Sequence, residues 1–211
     1  FIYYDPPIAA PPADSGDALP GDERFQANPD AADAWRRYRL AMRMIDAEIG
    51  KLVASVRDTG LADETVLMIA SDHGYEFDDN GYGYIGHASS FAAAQLQSVL
   101  MMHWPGREPQ RYDHRTAHED VIVTLMQDVF GCDNPPGDYA LGRNLFAGES
   151  WDWIMSGSYT SHAIVEPEQV TISYPGGFVE MRGDGYQPID RSNMDPAVVQ
   201  ASMAAMRRFF R

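Results

Sequence analysis

The sequence holds one cysteine, Cys132, one lysine, Lys51, and no run of about 18 apolar residues. A single thiol excludes an intrachain disulfide and leaves the redox compartment open. Without a long apolar run, no helix of this segment should span a bilayer. Basic groups are also scarce. Sixteen Lys and Arg against 31 Asp and Glu give a net charge of −15, which disfavours nucleic acid and anionic membrane surfaces as partners. An anionic substrate would need a bound cation to offset that field; otherwise the acidity serves solubility. A starting Met is missing too, and the chain opens inside the apolar run FIYY. The expectation is a C-terminal piece of a longer protein whose targeting information lies upstream. What is present is ordinary for a globular protein, 45% hydrophobic and 22% charged.

Residues 1–4 read as the end of a buried strand, followed by a Pro/Ala/Gly/Asp-rich loop over 5–29. Asp30 or Asp33 could cap the long helix that comes next. Its Trp35, Tyr38, Met42, Ile45, Ile49, Leu52 and Val56 recur at steps of three and four, predicting a core-facing stripe ended by Gly60. Residues 64–70 (ETVLMIA) and 97–104 (QSVLMMHW) read as buried strands, the first central with both faces covered. Residues 116–130 read as an amphipathic helix. The rhythm is that of a layered α/β domain over residues 1–133. From 134 to 211 the texture changes to a small antiparallel subdomain: strands at 153–159, 163–165, 170–174 and 178–182, a Pro175-Gly176-Gly177 turn, and a closing helix over 196–210.

The chemistry concentrates at Ser71-Asp72-His73-Gly74, directly after a strand, because the carboxyl ends of strands in open α/β sheets border the ligand crevice. A carboxylate next to an imidazole suits zinc or manganese better than calcium. His87 lies fourteen residues on, and Gly81, Gly83 and Gly86 would let the intervening loop fold back toward the same crevice. There it could contact a tetrahedral oxyanion or protonate a leaving group. Residues 76–87 imitate the spacing of a calcium-binding EF loop. Their twelfth position is His87 rather than Glu, however, and a strand precedes them, so that reading is set aside. Glu76 reads as a solvated loop carboxylate in preference to a group shaping the site. His103 reads as a packed, hydrogen-bonded residue, and His114 and His118 as capping or surface residues. His162 receives no role, and Cys132 reads as a buried small apolar residue.

The span 38–74 (YRLAMRMIDAEIGKLVASVRDTGLADETVLMIASDHG) resembles the sulfatase signature of the alkaline phosphatase superfamily: a helix with internal Asp46 and Gly50, then a strand ending in Ser-Asp-His-Gly. GYIGH at 83–87, the strand ending His103-Trp104-Pro105-Gly106 and the helix around Asp120 follow in the same order. More narrowly, residues 71–91, 114–139 and 157–167 resemble the periplasmic domain of the YejM (PbgA) family of Gram-negative inner-membrane proteins. The resemblance implies the C-terminal portion of a layered α/β/α sulfatase fold. It also implies Asp72 and His73 as ligands of a divalent metal (Zn or Mn before Mg or Ca) and His87 as the substrate-side histidine. The nucleophile and the other ligands would come from the N-terminal half of the fold, and Cys132 lies outside the nucleophile motif. One departure stands out: Ile8 sits where active relatives carry a histidine that helps hold the substrate anion, and isoleucine can neither donate nor ligate.

Two functions follow as expectations. The first is a metal-dependent hydrolase of sulfate or phosphate esters, or a phosphoethanolamine transferase, and this segment alone would be inactive. The second is a non-catalytic regulatory or lipid-binding domain in lipopolysaccharide and outer-membrane homeostasis. On either, the resemblance implies the periplasmic face of the inner membrane, tethering through an upstream transmembrane region, an anionic ester or lipid head group as partner, and protein partners in that membrane.

Overall fold

A computed structural model describes residue 25 and residues 27–208. The predicted strand at 1–4, Ile8, most of the 5–29 loop and the last residues of the closing helix lie outside the described residues. The chain forms two compact units that divide between Arg107 and Glu108.

The first unit opens with helix α1 (Pro29–Asp58). Its cap is Asn28, whose side chain accepts from the Ala31 amide at 3.3 Å, and Pro29 takes the first helical position. Asp30 and Asp33 therefore do not cap it. Proline needs no hydrogen-bond partner there and its fixed φ suits the helix start. The helix ends as expected, with Gly60 at φ +73°. Only the start of the stripe, Trp35 and Tyr38, meets the core of this unit, against Phe77; beyond it the apolar face is largely uncovered. Only Ala31 is buried on α1, while Ile45 is 48% and Leu52 50% exposed. Helical periodicity shows that one face is apolar, but it does not supply the surface that covers it.

Strand β1 (Leu67–Ala70) pairs antiparallel with β4 (Leu100–His103), Leu67 opposite His103 and Ala70 opposite Leu100. Between them lie a short hairpin, β2 (Glu76–Phe77) with β3 (Ile85–Gly86), and a one-turn helix, α2 (Ala93–Leu96). Contrary to expectation, β1 is half-buried rather than covered on both faces, and among the described residues its only partner is β4. The core of this unit is aromatic. Phe77 sits 5.0 Å from Trp35, 5.2 Å from Tyr38 and 4.7 Å from Tyr75, and Phe25 closes the cluster. Each such pair contributes about 0.5–1.5 kcal/mol beyond area burial, so the cluster fastens the β2–β3 hairpin to the start of α1.

The second unit holds α3 (Glu119–Asp128) and an antiparallel meander of β5 (Ile154–Gly157), β6 (His162–Val165), β7 (Val170–Ser173) and β8 (Val179–Arg182), in that spatial order. Gly176 and Gly177, at φ +84° and +83°, make the β7–β8 turn, and α4 (Pro196–Arg207) closes the unit behind an Asp195 cap. Its polar centre is Asp120. This buried carboxylate accepts from the amides of Ala117 and Arg143, both at 2.7 Å, and from Trp151 Nε1. Gly142 is obligatory beside it, since a Cβ there would fall 2.0 Å from the Glu119 carbonyl oxygen.

Candidate functional site

The site grows from the turn that stops β1. Ser71 continues the strand pairing through its amide to Val99 O, and its hydroxyl donates to His73 O at 2.6 Å, bending the chain. Asp72 Oδ1 accepts from the His73 amide at 3.0 Å. The His73 ring is fixed by Nδ1, 2.7 Å from Gly74 O. A carbonyl can only accept, so Nδ1 carries a proton, and in the neutral ring the lone pair belongs to Nε2. That Nε2 lies 3.7 Å from Asp72 Oδ1, and both side chains are accessible, at 41% and 59%.

Residues 78–87 bring the second histidine back. Asp78, at φ +62°, accepts from the Gly83 amide at 2.6 Å and from Asn28 Nδ2 at 2.7 Å, and its own amide donates to Tyr84 O. Asp79 accepts from the Phe77 amide. The loop carboxylates at 78 and 79 thus hold the turn. Gly81, Gly83 and Gly86 stand at φ +73°, +76° and +122°, where a side chain would strain the backbone. The result is a stack: the His73 and His87 rings lie 4.3 Å apart between centroids and within 20° of parallel. His87 is exposed.

The donor set fits a cation as far as it goes. Two ligands bound at about 2.0–2.1 Å can stand as much as about 4.2 Å apart, so the 3.7 Å between His73 Nε2 and Asp72 Oδ1 can be bridged by one ion. Among the described residues no group of three His, Cys, Asp or Glu gathers to hold a metal, and His87 lies face to face with His73 rather than beside it.

The remaining candidates separate clearly. Glu76 is not solvated: it is 0% exposed and hydrogen-bonded to Asn80, Ser90 and Gln95. Ser90 and Gln95 carry no motif signal, and only their long-range bonds disclose them. His103 is hydrogen-bonded, through Nε2 to Ala62 O at 2.8 Å, but exposed. His114 lies edge-on to Tyr112, His118 precedes α3 without a side-chain cap bond, and His162 opens β6 exposed. Cys132 is half-buried rather than buried, its Sγ 3.6 Å from Asn134 Oδ1.

The Sulfatase family model matches residues 3–131. The inner membrane protein YejM of Salmonella typhimurium is 28% identical over 140 residues, which is 65% of this chain and 23% of that protein. An uncharacterized protein of Haemophilus influenzae is 27% identical over 121 residues, 57% of this chain and 20% of its own length. The chain thus spans about a quarter of the curated relatives it matches. Two solved structures share the fold. BT4656, in complex with its substrate D-glucosamine-2-N,6-O-disulfate, superposes with a TM-score of 0.56 and 15% identity over 84% of this chain and 40% of that one. Ps i-CgsB gives 0.59 and 17% over 92% and 46%.

Proposed function

We propose a function from the premise that this chain belongs to the sulfatase family: Asp72 and His73 supply part of a divalent-metal centre, and His87 serves the anion held there, in a domain that cleaves or transfers a sulfate or phosphate ester. The observation that carries the reading is the stacked His73–His87 pair, with Asp72 beside it, at the end of β1. When bound, the metal, zinc or manganese by donor type, would neutralise the ester's charge and lower the pKa of the attacking group.

The residues of this chain have separate tasks. Asp72 and the Nε2 face of His73 hold the cation, with the ring set by Nδ1–H donating to Gly74 O. The exposed His87 donates to an oxygen of the transferred group or returns a proton to the leaving oxygen. A catalytic metal takes about three protein ligands, so at least one ligand, and the nucleophile, come from outside residues 25–208. The net charge of −15 makes a bound cation a requirement for any anionic substrate.

A second reading is a regulatory or lipid-head-group-binding domain on the periplasmic face of the inner membrane, serving lipopolysaccharide homeostasis. The likeness to the inner membrane protein YejM and the isoleucine at position 8 favour it. Among the described residues no helix is long and apolar enough to cross a membrane, so the tether would lie elsewhere.

Asp72→Ala in the protein at its natural length separates the two. On the enzymatic reading, both metal content and hydrolysis of aryl sulfates or phosphates disappear together. Unchanged hydrolysis and metal content would remove the site. Wild-type protein that holds metal but turns over no ester of either class would favour the regulatory reading.

A further inference from the structure

Glu76 is a fully buried carboxylate in the loop that carries the site, and no Lys or Arg pairs with it among the described residues. Three neutral side chains satisfy it instead. Asn80 Nδ2 donates to Oε1 at 3.0 Å, while Ser90 Oγ and Gln95 Nε2 donate to Oε2 at 2.8 and 2.7 Å. The direction of these bonds is determined. Gln95 Oε1 accepts from the backbone amides of Ser89 and Ser90, so its nitrogen must face Glu76. Ser90 Oγ accepts from the Ala92 amide, so its proton points to Glu76 as well. Three backbone amides just after His87 are thereby relayed through two side chains onto one carboxylate.

The placement is nearly symmetric about the histidine pair. Glu76 stands three residues after His73, Ser90 three residues after His87, and Glu76 pairs in register with Gly86, the neighbour of His87. Gly74, between His73 and Glu76, lies flush against α2: its amide donates to Gln95 O at 2.9 Å.

We propose that Glu76 is a positioning residue whose buried carboxylate locks the His73 segment to the His87 segment and so sets the stacking of the two imidazoles. The positioning stands on this geometry alone; its consequence for metal binding rests on the function proposed above. A carboxylate is suited to the task because both oxygens accept, whereas an amide must donate from one side. Glu76→Gln can keep its carbonyl toward Ser90 and Gln95 and give up only the Asn80 bond, so it retains the lock. Glu76→Ala gives up all three bonds and leaves Ser90 and Gln95 facing a void.

The test uses the protein at its natural length. Mutual ring-current shifts of the His73 and His87 imidazole protons are read by NMR in metal-free protein, and zinc and manganese are then titrated by calorimetry. Amide exchange in β1 and β4 reports whether the first unit stays folded. Glu76→Ala should abolish the ring-current shifts and weaken metal binding by about tenfold or more, the scale for removing an outer support of a ligand. Glu76→Gln should restore both readouts. Ser90→Ala, a milder loss of one donor, should reduce the shifts with β1 and β4 exchange unchanged, which keeps the test open if Glu76→Ala fails to fold. Unaltered ring shifts in both Glu76→Ala and Ser90→Ala would overturn the proposal. Wild-type protein that binds neither metal, yet loses its ring shifts in Glu76→Ala, would support the positioning and sink only the metal centre.

Discussion

Gly74→Ala is the substitution whose effect follows most directly from the coordinates. Gly74 has an ordinary negative φ, so conformation does not demand glycine there; space does. A Cβ at 74 would lie 2.2 Å from Ala94 O and 2.6 Å from Gln97 O, both backbone atoms that cannot swing aside. Carbon approaches such an oxygen no nearer than 3.0 Å, so α2 or the site turn must retreat by about 0.8 Å. Overpacking of that kind costs about 1–3 kcal/mol, and the retreat strains the Gly74 N–H to Gln95 O bond, worth about 1 kcal/mol. The sum is about 2–4 kcal/mol, set against a total of roughly 5–15 for a domain. Gly50→Ala is the internal control. Gly50 lies exposed inside α1 with nothing within 4 Å of a built Cβ, so alanine should stabilise by about 0.5–1 kcal/mol. Urea unfolding of both variants reads the difference through the midpoint at constant m. Since His73 adjoins the displaced residue, Gly74→Ala should also weaken metal binding while Gly50→Ala leaves it unchanged. A Gly74→Ala protein within about 0.5 kcal/mol of wild type would refute the close approach of α2, because ordinary surface substitutions fall in that range.

Two further predictions concern the second unit. Asp120→Ala strands the part-buried amides of Ala117 and Arg143 and the indole N–H of Trp151. At about 1–3 kcal/mol for each stranded donor, partly relieved by relaxation, it should destabilise the unit by roughly 4 kcal/mol in denaturant unfolding, and a loss below about 1 kcal/mol would contradict the network. Burial, then the hydrogen bond its hydroxyl donates to Glu180, pushes the Tyr174 phenol up to about 12 from its usual 10.0. A folded value above the unfolded one favours the protonated form. The associated stability is therefore whole below pH 10 and declines as pH rises from 10 through 12. Tyr174→Phe should flatten that alkaline decline in pH-dependent unfolding and remove the latest phenolate transition in ultraviolet titration. An identical decline in the Phe variant would reject the assignment.

The parts of the fold legible in the sequence were those written in local chemistry. The β-meander announced itself through alternating strands around Pro175-Gly176-Gly177, and its glycines do take positive φ. The turn at 71–74 was legible because Ser-Asp-His-Gly follows an apolar run that forms β1, and the return of His87 because three glycines in the loop permit the required backbone. The α1 cap was misread: Asp30 or Asp33 was expected, but Asn28 caps the helix, and Asn28-Pro29 is the stronger local start signal. What was not legible depended on partners remote in sequence. The period of the α1 stripe was right, but an apolar face and a covered face are different facts, and only the surrounding structure distinguishes them. Glu76 makes the same point from the other side. An acid in an Asp- and Gly-rich loop reads as solvated, because no local pattern discloses a glutamine nineteen residues away whose own orientation is fixed by two backbone amides. Burying a carboxylate among neutral donors is costly unless its oxygens are used, and here Oε1 accepts from Asn80 before His87 while Oε2 accepts from Ser90 and Gln95 after it. A purely local loop acid could be exchanged for water contacts at little cost. The observed arrangement instead ties the exposed site to one residue wholly out of the solvent, so a perturbation of that residue should register at the histidines before it unpairs β1 from β4.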